Sequence, residues 1–165
     1  LRGNYLSDEV LSDIERRFSE RDIQCVAFPV LTPSRLSYAT KIGLPLNPIY
    51  WYALIKYAQA YIGNNMHPIV ISLHNAVPCY SIDNWGTTNF WGKRIDDGSS
   101  KVQDILGRYE LDANRSVITD GHCDITVDQI FEALDAYDKS KVAEISRCQY
   151  ERYAEMMDKC LKTLV

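Results

Sequence analysis

The side chains of this sequence that could bind or act on a ligand lie at three points where a short apolar run gives way to the start of a helix. They are, in chain order, Gly63, Asn64, Asn65, Met66, His67, Asp83, Ser100 and Lys101. In open parallel sheets, ligands bind at the carboxyl ends of the strands, where loops lead into helices. A helix N-terminus presents unpaired amide donors and a partial positive charge, so it attracts anions. The sequence therefore predicts an anion-binding edge lined by these residues.

These candidates also have structural interpretations, and the residues alone leave both open. Gly63 either lets the backbone approach a ligand or makes a plain turn. His67 could donate to a phosphate or carboxylate or act as an acid, although by position alone a capping or core histidine is the more common case. Lys101, directly behind Ser100, could contact a phosphate or be solvated in a first helical turn. Asp83 could meet a hydroxyl group or cap its loop.

Neither a metal nor a cofactor is predicted. His74 follows His67 by seven residues on one helical face, which separates them by about 10 Å and is too far for one ion. A second group of possible ligands consists of Asp120, His122, Cys123 and Asp124. It offers one histidine and one thiol in a polar loop. The glycine-rich, nucleophile-elbow and zinc-binding motifs of cofactor and hydrolase sites do not occur in the sequence.

A parallel α/β domain would position these residues. Apolar runs at 61–63 and 77–82 predict two strands, with a helix from Pro68 through Leu73 between them. Strand, helix and strand in this order form a parallel crossover, and continuous apolar runs are typical of a sheet covered on both faces. The predicted fold class is therefore α/β, a Rossmann-like parallel sheet flanked by helices, as a single domain over residues 1–165.

Helical periodicity and capping residues predict the remaining elements. In order, they are a helix capped by Ser7, a strand at 23–30, a loop containing Pro33, Gly43 and Pro45, a helix at 49–60, a helix capped by Ser99 or Ser100, a strand at 117–118, a helix capped by Thr126, and a long charged helix at 140–161. Residues 83–98 are predicted to be irregular. The long helix carries an apolar stripe formed by Val142, Ile145, Tyr153, Met156 and Cys160.

Composition excludes several classes of protein. The 165 residues carry 18 Lys and Arg against 22 Asp and Glu, a net charge of −4, which argues against general nucleic-acid binding. The longest apolar runs fall short of the ~18 residues of a spanning helix, and no signal peptide is recognisable. Five irregularly spaced cysteines are expected to be free thiols of a cytosolic protein. From Ile49 to Asp83 only Lys56 and Asp83 are charged, so we expect this block to be interior.

The stretch from Trp51 to Leu111 carries short motifs in a defined order. They are Leu54-Ile55-Lys56, Ala60-Tyr61-Ile62-Gly63, Asn65-Met66-His67, Ile71-Ser72-Leu73, Ala76-Val77-Pro78, and the run from Ser99 to Leu106. This series resembles the C-terminal half of the polysaccharide pyruvyl transferase family. The family's corresponding pieces are a strand ending in Ile-Gly, an Arg-x-His motif, a small-residue helix leading to Gly-Val-Pro, and a lysine-led helix. The motifs cover roughly a third of the chain.

The resemblance implies a fold and an activity. The family resembles GT-B glycosyltransferases, with two Rossmann-like halves and an active site in the cleft between them. Its members transfer a pyruvyl unit from phosphoenolpyruvate to a sugar or lipid-linked saccharide of a surface polysaccharide. By resemblance, His67 is the catalytic or phosphoenolpyruvate-binding histidine and Lys101 a basic contact lining the cleft. Clustered positive groups and helix N-termini would stabilise charge on the departing phosphate.

The resemblance also implies a context for the chain. We expect it to be the C-terminal half of a longer two-domain protein, inactive without its N-terminal half. We expect a cytoplasmic location, with at most peripheral association at the inner face of the cell membrane. Apolar surface facing the absent half could also drive formation of a homodimer.

One departure from the family pattern leaves three functions possible. Asn65 stands where the family has an arginine, and a neutral amide replaces a bidentate charged fork. Either Lys93 or Arg94 substitutes for it, or the donor differs, or catalysis is lost. The alternatives to pyruvyl transfer are therefore a GT-B glycosyltransferase, for which Asp83 is the candidate ribose-binding carboxylate, and a non-catalytic family member.

Overall fold

The computed structural model describes residues 6–28, 34–83, 87–88, 94–95, 100–118 and 123–163. Its helices are α1 (Asp8–Glu20), α2 (Pro48–Lys56), α3 (Met66–His74), α4 (Lys101–Arg108), α5 (Val127–Asp135) and α6 (Lys139–Thr163). Its strands are β1 (Val26–Ala27), β2 (Thr40–Lys41), β3 (Tyr61–Gly63), β4 (Cys79–Asp83), β5 (Thr87–Thr88), β6 (Arg94–Ile95) and β7 (Arg115–Val117), the last preceded by a 3-10 turn over Asp112–Asn114.

Three parallel strands in the order β3-β4-β7 form the centre of the domain. Tyr61 lies opposite Cys79 and Gly63 opposite Ser81, while Asp83 lies opposite Val117. The helix α3 connects β3 to β4, which confirms the predicted parallel crossover. A separate parallel pair, β1 and β2, precedes α2 in the sequence. The strands β5 and β6 form an antiparallel hairpin.

Apolar clusters cover both faces of the sheet. On one face, residues of α1 and α5 pack against strand residues such as Ile62, Tyr80 and Ile82. On the other face, residues of α2, α3, α4 and α6 pack against Tyr61 and Cys79. Successive strand residues therefore enter opposite clusters, as a sheet with two buried faces requires. This arrangement confirms the predicted α/β fold class.

The helix starts follow the capping residues that the sequence offers. The Ser7 hydroxyl accepts from the amide of Val10 at 3.2 Å, and the Ser100 hydroxyl accepts from Val102 at 3.1 Å. Thr126 forms a capping box with Gln129 at the start of α5. These three caps were predicted because capping depends only on residues within one turn.

The shortest strands and some boundaries differ from the prediction. The strand β2 lies within the stretch predicted as loop, and the hairpin of β5 and β6 lies within the stretch predicted as irregular. The helix α2 ends at Lys56, four residues before its predicted end. A strand of two residues is too short to show an alternation of apolar and polar side chains in the sequence. Only its pairing with a neighbouring strand defines it.

Two surfaces are more exposed than expected. Within the nearly charge-free block, Ile49, Tyr50 and Tyr57 on and after α2 are exposed. On α6, Val142 is buried and Ile145 packs against the core. The later residues of its predicted stripe, Tyr153, Met156 and Cys160, are exposed. Among the described helices, none has the length and apolar character needed to cross a membrane.

Candidate functional site

Two helix N-termini lie at the carboxyl edge of the parallel sheet. The helix α3 begins three residues after Gly63 ends β3, and Ser100 caps α4 after the connection that follows β4. The two helices pack against each other and share one apolar cluster, so they lie side by side on the same face. This placement brings the first predicted group, Gly63 to His67, to the same edge as Ser100 and Lys101.

The N-terminus of α3, called its open start below, lacks the capping hydrogen bond from its N-cap side chain that several other described helices have. Its N-cap residue, Asn65, has an extended backbone with φ −96° and ψ 129°, and its side chain makes no capping hydrogen bond. By contrast, the N-cap side chains of α1, α2, α4 and α5 each accept a hydrogen bond from a backbone amide in the first turn of their own helix. The amides of Met66 and His67 therefore receive no capping hydrogen bond from the Asn65 side chain, and Pro68 contributes no amide donor.

His67 presents its ring to solvent at this helix end. The side chain is exposed, and it makes no hydrogen bond to any residue that the structure describes. The core interpretation of His67 is therefore wrong. Met66 beside it packs partly into the apolar cluster that α3 and α4 share. Burial of Met66 and Ile69 fixes the rotation of α3 and directs His67 outward.

A buried polar atom lies in the loop that leads to α3. Asn64 is only 8% exposed, and its side-chain oxygen has no hydrogen-bond partner among the described residues. A buried acceptor without a partner costs about 1–3 kcal/mol. The amide oxygen of Asn64 is therefore able to accept a donor from a ligand bound beside the loop.

The second predicted group forms a buried polar cluster. The Asp83 carboxylate is fully buried, and it accepts a hydrogen bond from the Ser100 hydroxyl. The same carboxylate oxygen accepts from Nε of Arg115 at 2.8 Å, and the Arg115 side chain is 11% exposed. Because Ser100 also caps α4, the contacts from Arg115 through Asp83 to Ser100 connect the start of α4 to the end of β4 and the start of β7.

This cluster separates the candidate residues into two groups. Asp83 and Ser100 are buried within the protein and bonded to protein groups, whereas Lys101 and His67 are exposed at the two helix starts. The exposed pair is available to a ligand. The buried pair holds the helix that carries Lys101.

Arg115 is the residue that sequence reasoning missed. It precedes the short apolar pair Val117 and Ile118, and local sequence gives no sign that it reaches Asp83, which lies 32 positions earlier. The one signal in the sequence is the position of Arg115, a charged residue at the start of a strand in a sheet whose two faces are buried. A charge at such a position requires a partner.

Several earlier candidates lie outside the described residues. Lys93, Asp120 and His122 are among them, and Arg94 is placed only as a residue of β6. Cys123 and Asp124 are described, and groups of three metal-ligating side chains are absent from the described part of the chain.

All five cysteines are free thiols. Burial raises the pKa of Cys79 to about 12. Burial and the nearby carboxylate of Asp124 raise the pKa of Cys123 to about 11. These thiols stay protonated near neutral pH, so they act as packing residues rather than nucleophiles.

The sequence model of the polysaccharide pyruvyl transferase family matches residues 4–86, half of the chain. The chain belongs to the polysaccharide pyruvyl transferase family. The match confirms the family that the short motifs indicated, and it makes the domain part of a family of transferases that act on polysaccharides. No curated protein and no solved structure matches the chain.

The family match covers one part of the site. It spans α1 to β4, and so it includes Asn64, Asn65, His67 and Asp83. Lys101 and Arg115 lie beyond it.

Proposed function

We propose that this domain is the C-terminal half of an enzyme that transfers a pyruvyl group from phosphoenolpyruvate to a sugar of a surface polysaccharide. The observation that carries the proposal is the open N-terminus of α3, which presents His67 at the carboxyl edge of the sheet within the family-matched span. In this proposal the other half of a GT-B-like fold closes over that edge and supplies the acceptor site. The protein acts in the cytoplasm, where phosphoenolpyruvate is available.

The anionic donor fits the start of α3. Phosphoenolpyruvate carries a carboxylate and a phosphate, and the amides of Met66 and His67 with the positive end of the helix attract either group. The imidazole of His67 donates to the phosphate oxygen that leaves. Lys101, exposed at the start of α4, adds a positive charge on the neighbouring helix.

The chemistry of pyruvyl transfer determines the roles that His67, Lys101 and Asn64 would have. Two sugar hydroxyls add to the carbon that bears the phosphate; one of their protons completes the methyl group, and the other leaves with inorganic phosphate. A positioned proton donor and cationic groups lower the energy of the departing phosphate. Asn64 is suited to accept a hydrogen bond from a hydroxyl, because its amide oxygen is buried without a partner in the described part of the chain.

The neutral side chain of Asn65 suggests a second candidate function. A neutral amide cannot replace the charge of an arginine on a carboxylate, and the loss of a charge-assisted contact weakens donor binding by about 1.5–3 kcal/mol. If no other cation compensates, the domain binds a sugar or partner without catalysis. The nucleotide-sugar alternative is less favoured, because the Asp83 carboxylate that would bind ribose is fully buried against Ser100 and Arg115.

Phosphate release tests the proposal. The full-length protein is incubated with phosphoenolpyruvate and lipid-linked saccharide acceptors, and acceptor-dependent phosphate release is measured. We expect His67→Ala to reduce the rate by about 10²–10⁴-fold, the usual contribution of a positioned proton donor. His74→Ala is the matched control, because it is the other exposed histidine of α3 and lies at the opposite end of the helix. Equal rates for the two variants would remove His67 from the mechanism.

A further inference from the structure

The second half of α6 forms an exposed arm, which consists of residues 150–163. Every residue of the arm is exposed, whereas Val142 near the start of the helix is buried and Ile145 packs against the core. At about 1.5 Å per residue, the arm is about 21 Å long. None of the residues assigned to the donor lies on the arm. An inference about the arm therefore goes beyond the proposed function, and each can fail without the other.

The charged and the apolar side chains of the arm lie on opposite sides of the helix. The charged residues are Glu151, Arg152, Glu155, Asp158, Lys159 and Lys162. At about 3.6 residues per turn, they share an arc of about 120°. The large apolar residues on the remaining surface, called the arm face below, are Tyr150, Tyr153, Met156, Met157, Cys160 and Leu161. Apolar side chains that gather on one exposed side of a helix indicate an interaction surface.

The body of the domain lies on the same side of α6 as the arm face. Val142 precedes Cys160 by 18 residues, about five turns, so the two side chains point in the same direction. Ile145 precedes Met156 by 11 residues, about three turns. The arm face therefore continues the buried side of the helix. Because the body covers that side at the start of α6, a partner helix has room only along the arm.

The arm face is complementary to itself when the direction of the helix is reversed. Tyr150, Tyr153, Met157 and Cys160 follow one another at spacings of three, four and three residues, which is the spacing of a coiled-coil seam. Reversal about position 155 maps this series onto itself. It places Tyr150 opposite Cys160 of a second copy and Tyr153 opposite Met157, so each tyrosine meets a smaller side chain.

The charges of the arm permit such a pair. The charged arc carries three acidic and three basic residues. Glu151 and Asp158, which border the arm face, pair within their own helix with Arg147 at 2.8 Å and Lys162 at 2.5 Å. The arm face consists of uncharged side chains, so two copies can bring it together without burying an unpaired charge.

We propose that the arm is a dimerisation element, which pairs in antiparallel orientation with the arm of a second copy of the chain. The two bodies lie at opposite ends of the pair, and a twofold axis passes between the helices near position 155. The large side chains of the arm face expose roughly 500 Å² per copy, so the pair buries about 1,000 Å², the lower limit for a specific interface. The dimer therefore forms at high protein concentration and dissociates on dilution, where the arm is exposed.

Two other arrangements fit the arm less well. A parallel pair would place the start of the second helix where the body of the first copy packs around Val142. A lipid surface attracts amphipathic helices whose polar side is rich in Lys and Arg. The charged arc of the arm has equal numbers of acidic and basic residues instead.

Sedimentation equilibrium of the chain at about 10–500 µM tests the proposal. We expect a monomer at the lowest concentration and a dimer fraction that grows with concentration. Met157→Lys places a charge near the centre of the pair, and it should weaken association by about tenfold or more. Lys159→Ala is the matched control, because Lys159 lies on the charged arc of the same arm, and it should change the dissociation constant by no more than about twofold. Both positions are exposed, so the fold tolerates both changes.

A disulfide reports the direction of the pair. Tyr150→Cys introduces a thiol that is about 15 Å from Cys160 along the same helix. A disulfide joins Cα atoms that are less than about 7 Å apart, so the two thiols of one copy cannot react with each other. In the antiparallel pair, the introduced thiol lies beside Cys160 of the second copy. We therefore expect oxidation with diamide to give a covalent dimer linked between positions 150 and 160, which peptide mapping identifies.

Three results would overturn the proposal. One is a monomer at every concentration, or an equal effect of Met157→Lys and Lys159→Ala on association. Another is a disulfide between the Cys160 side chains of two copies, which requires a parallel pair. The third is a monomeric chain that binds vesicles of phosphatidylcholine and phosphatidylserine and loses this binding in Met157→Lys, which would assign the arm face to a lipid surface.

Discussion

At the scale of single residues, the arrangement around Asp83 explains how one buried carboxylate organises the site edge. Its negative charge is compensated by Arg115, and its second contact reaches the cap of α4 through Ser100. A buried charge without a partner is expensive, so the three side chains depend on each other. Sequence reasoning located Asp83 and Ser100 but not Arg115, because the pairing connects strands that are distant in the chain.

Breaking this pair should therefore destabilise the fold. We expect Asp83→Ala to lower the free energy of unfolding by about 3–5 kcal/mol, since it leaves the Arg115 guanidinium buried without its carboxylate. Chemical denaturation measures the difference. The control is Asp104→Ala, which removes an exposed pair with Arg108 on α4 and should cost no more than about 0.5 kcal/mol. Similar losses for the two variants would contradict the structural role of Asp83.

The thiols provide a residue-scale prediction that depends on pH. Iodoacetamide should alkylate the exposed Cys160 in the native protein and leave Cys79 intact. Alkylation requires the thiolate, and the pKa of Cys79 is raised to about 12 by burial. Cys79 should therefore stay unmodified when the pH is raised from 7 to 9. Peptide mapping by mass spectrometry distinguishes the sites, and labelling of native Cys79 at pH 9 would contradict its burial.

At the scale of elements, the sequence determines helix starts better than strand pairing. Ser7, Ser100 and Thr126 act within one turn of their own helices, so their roles follow from local sequence. The pairs β1–β2 and β5–β6 are two residues long on each strand, and only tertiary contacts define them. The open start of α3 also lies beyond sequence reasoning, because Asn65 is a residue type that normally caps.

The capping box of α5 gives an element-scale test. Thr126→Ala removes the hydroxyl that accepts a hydrogen bond from the backbone amide of Gln129. The substitution should lower the free energy of unfolding by about 1 kcal/mol. Ser12→Ala, at an exposed position within α1, is the control and should have an effect within about 0.5 kcal/mol. Urea denaturation of the three proteins compares them directly. An unchanged midpoint for Thr126→Ala would show that the cap contributes nothing.

At the scale of the whole molecule, α6 belongs to the folded body only in part. Val142 is buried near its start, whereas every described residue from 151 to 163 is exposed. The sequence predicted the extent of α6 to within two residues, but only Val142 and Ile145 of its predicted apolar stripe pack in the core. It could not indicate where the stripe leaves the core, because that depends on the size of the neighbouring elements.

Truncation of the chain before Tyr153 should leave the free energy of unfolding within about 0.5 kcal/mol of the intact chain, because every described residue that is removed is exposed. By contrast, Val142→Ala should lower it by about 1–3 kcal/mol through lost burial and a cavity. Thermal and urea unfolding measure both. A large loss of stability on truncation would show that the end of α6 packs against the domain.

The central claim is that phosphoenolpyruvate binds at the open start of α3. Calorimetric titration and thermal shift with phosphoenolpyruvate, beside UDP and GDP sugars, test it most directly. A ligand at 100 times its dissociation constant stabilises a protein by about 2.7 kcal/mol, which these methods resolve. We expect phosphoenolpyruvate alone to stabilise the chain and its His74→Ala variant but not His67→Ala. Equal stabilisation of His67→Ala, or stabilisation by a nucleotide sugar instead, would contradict it.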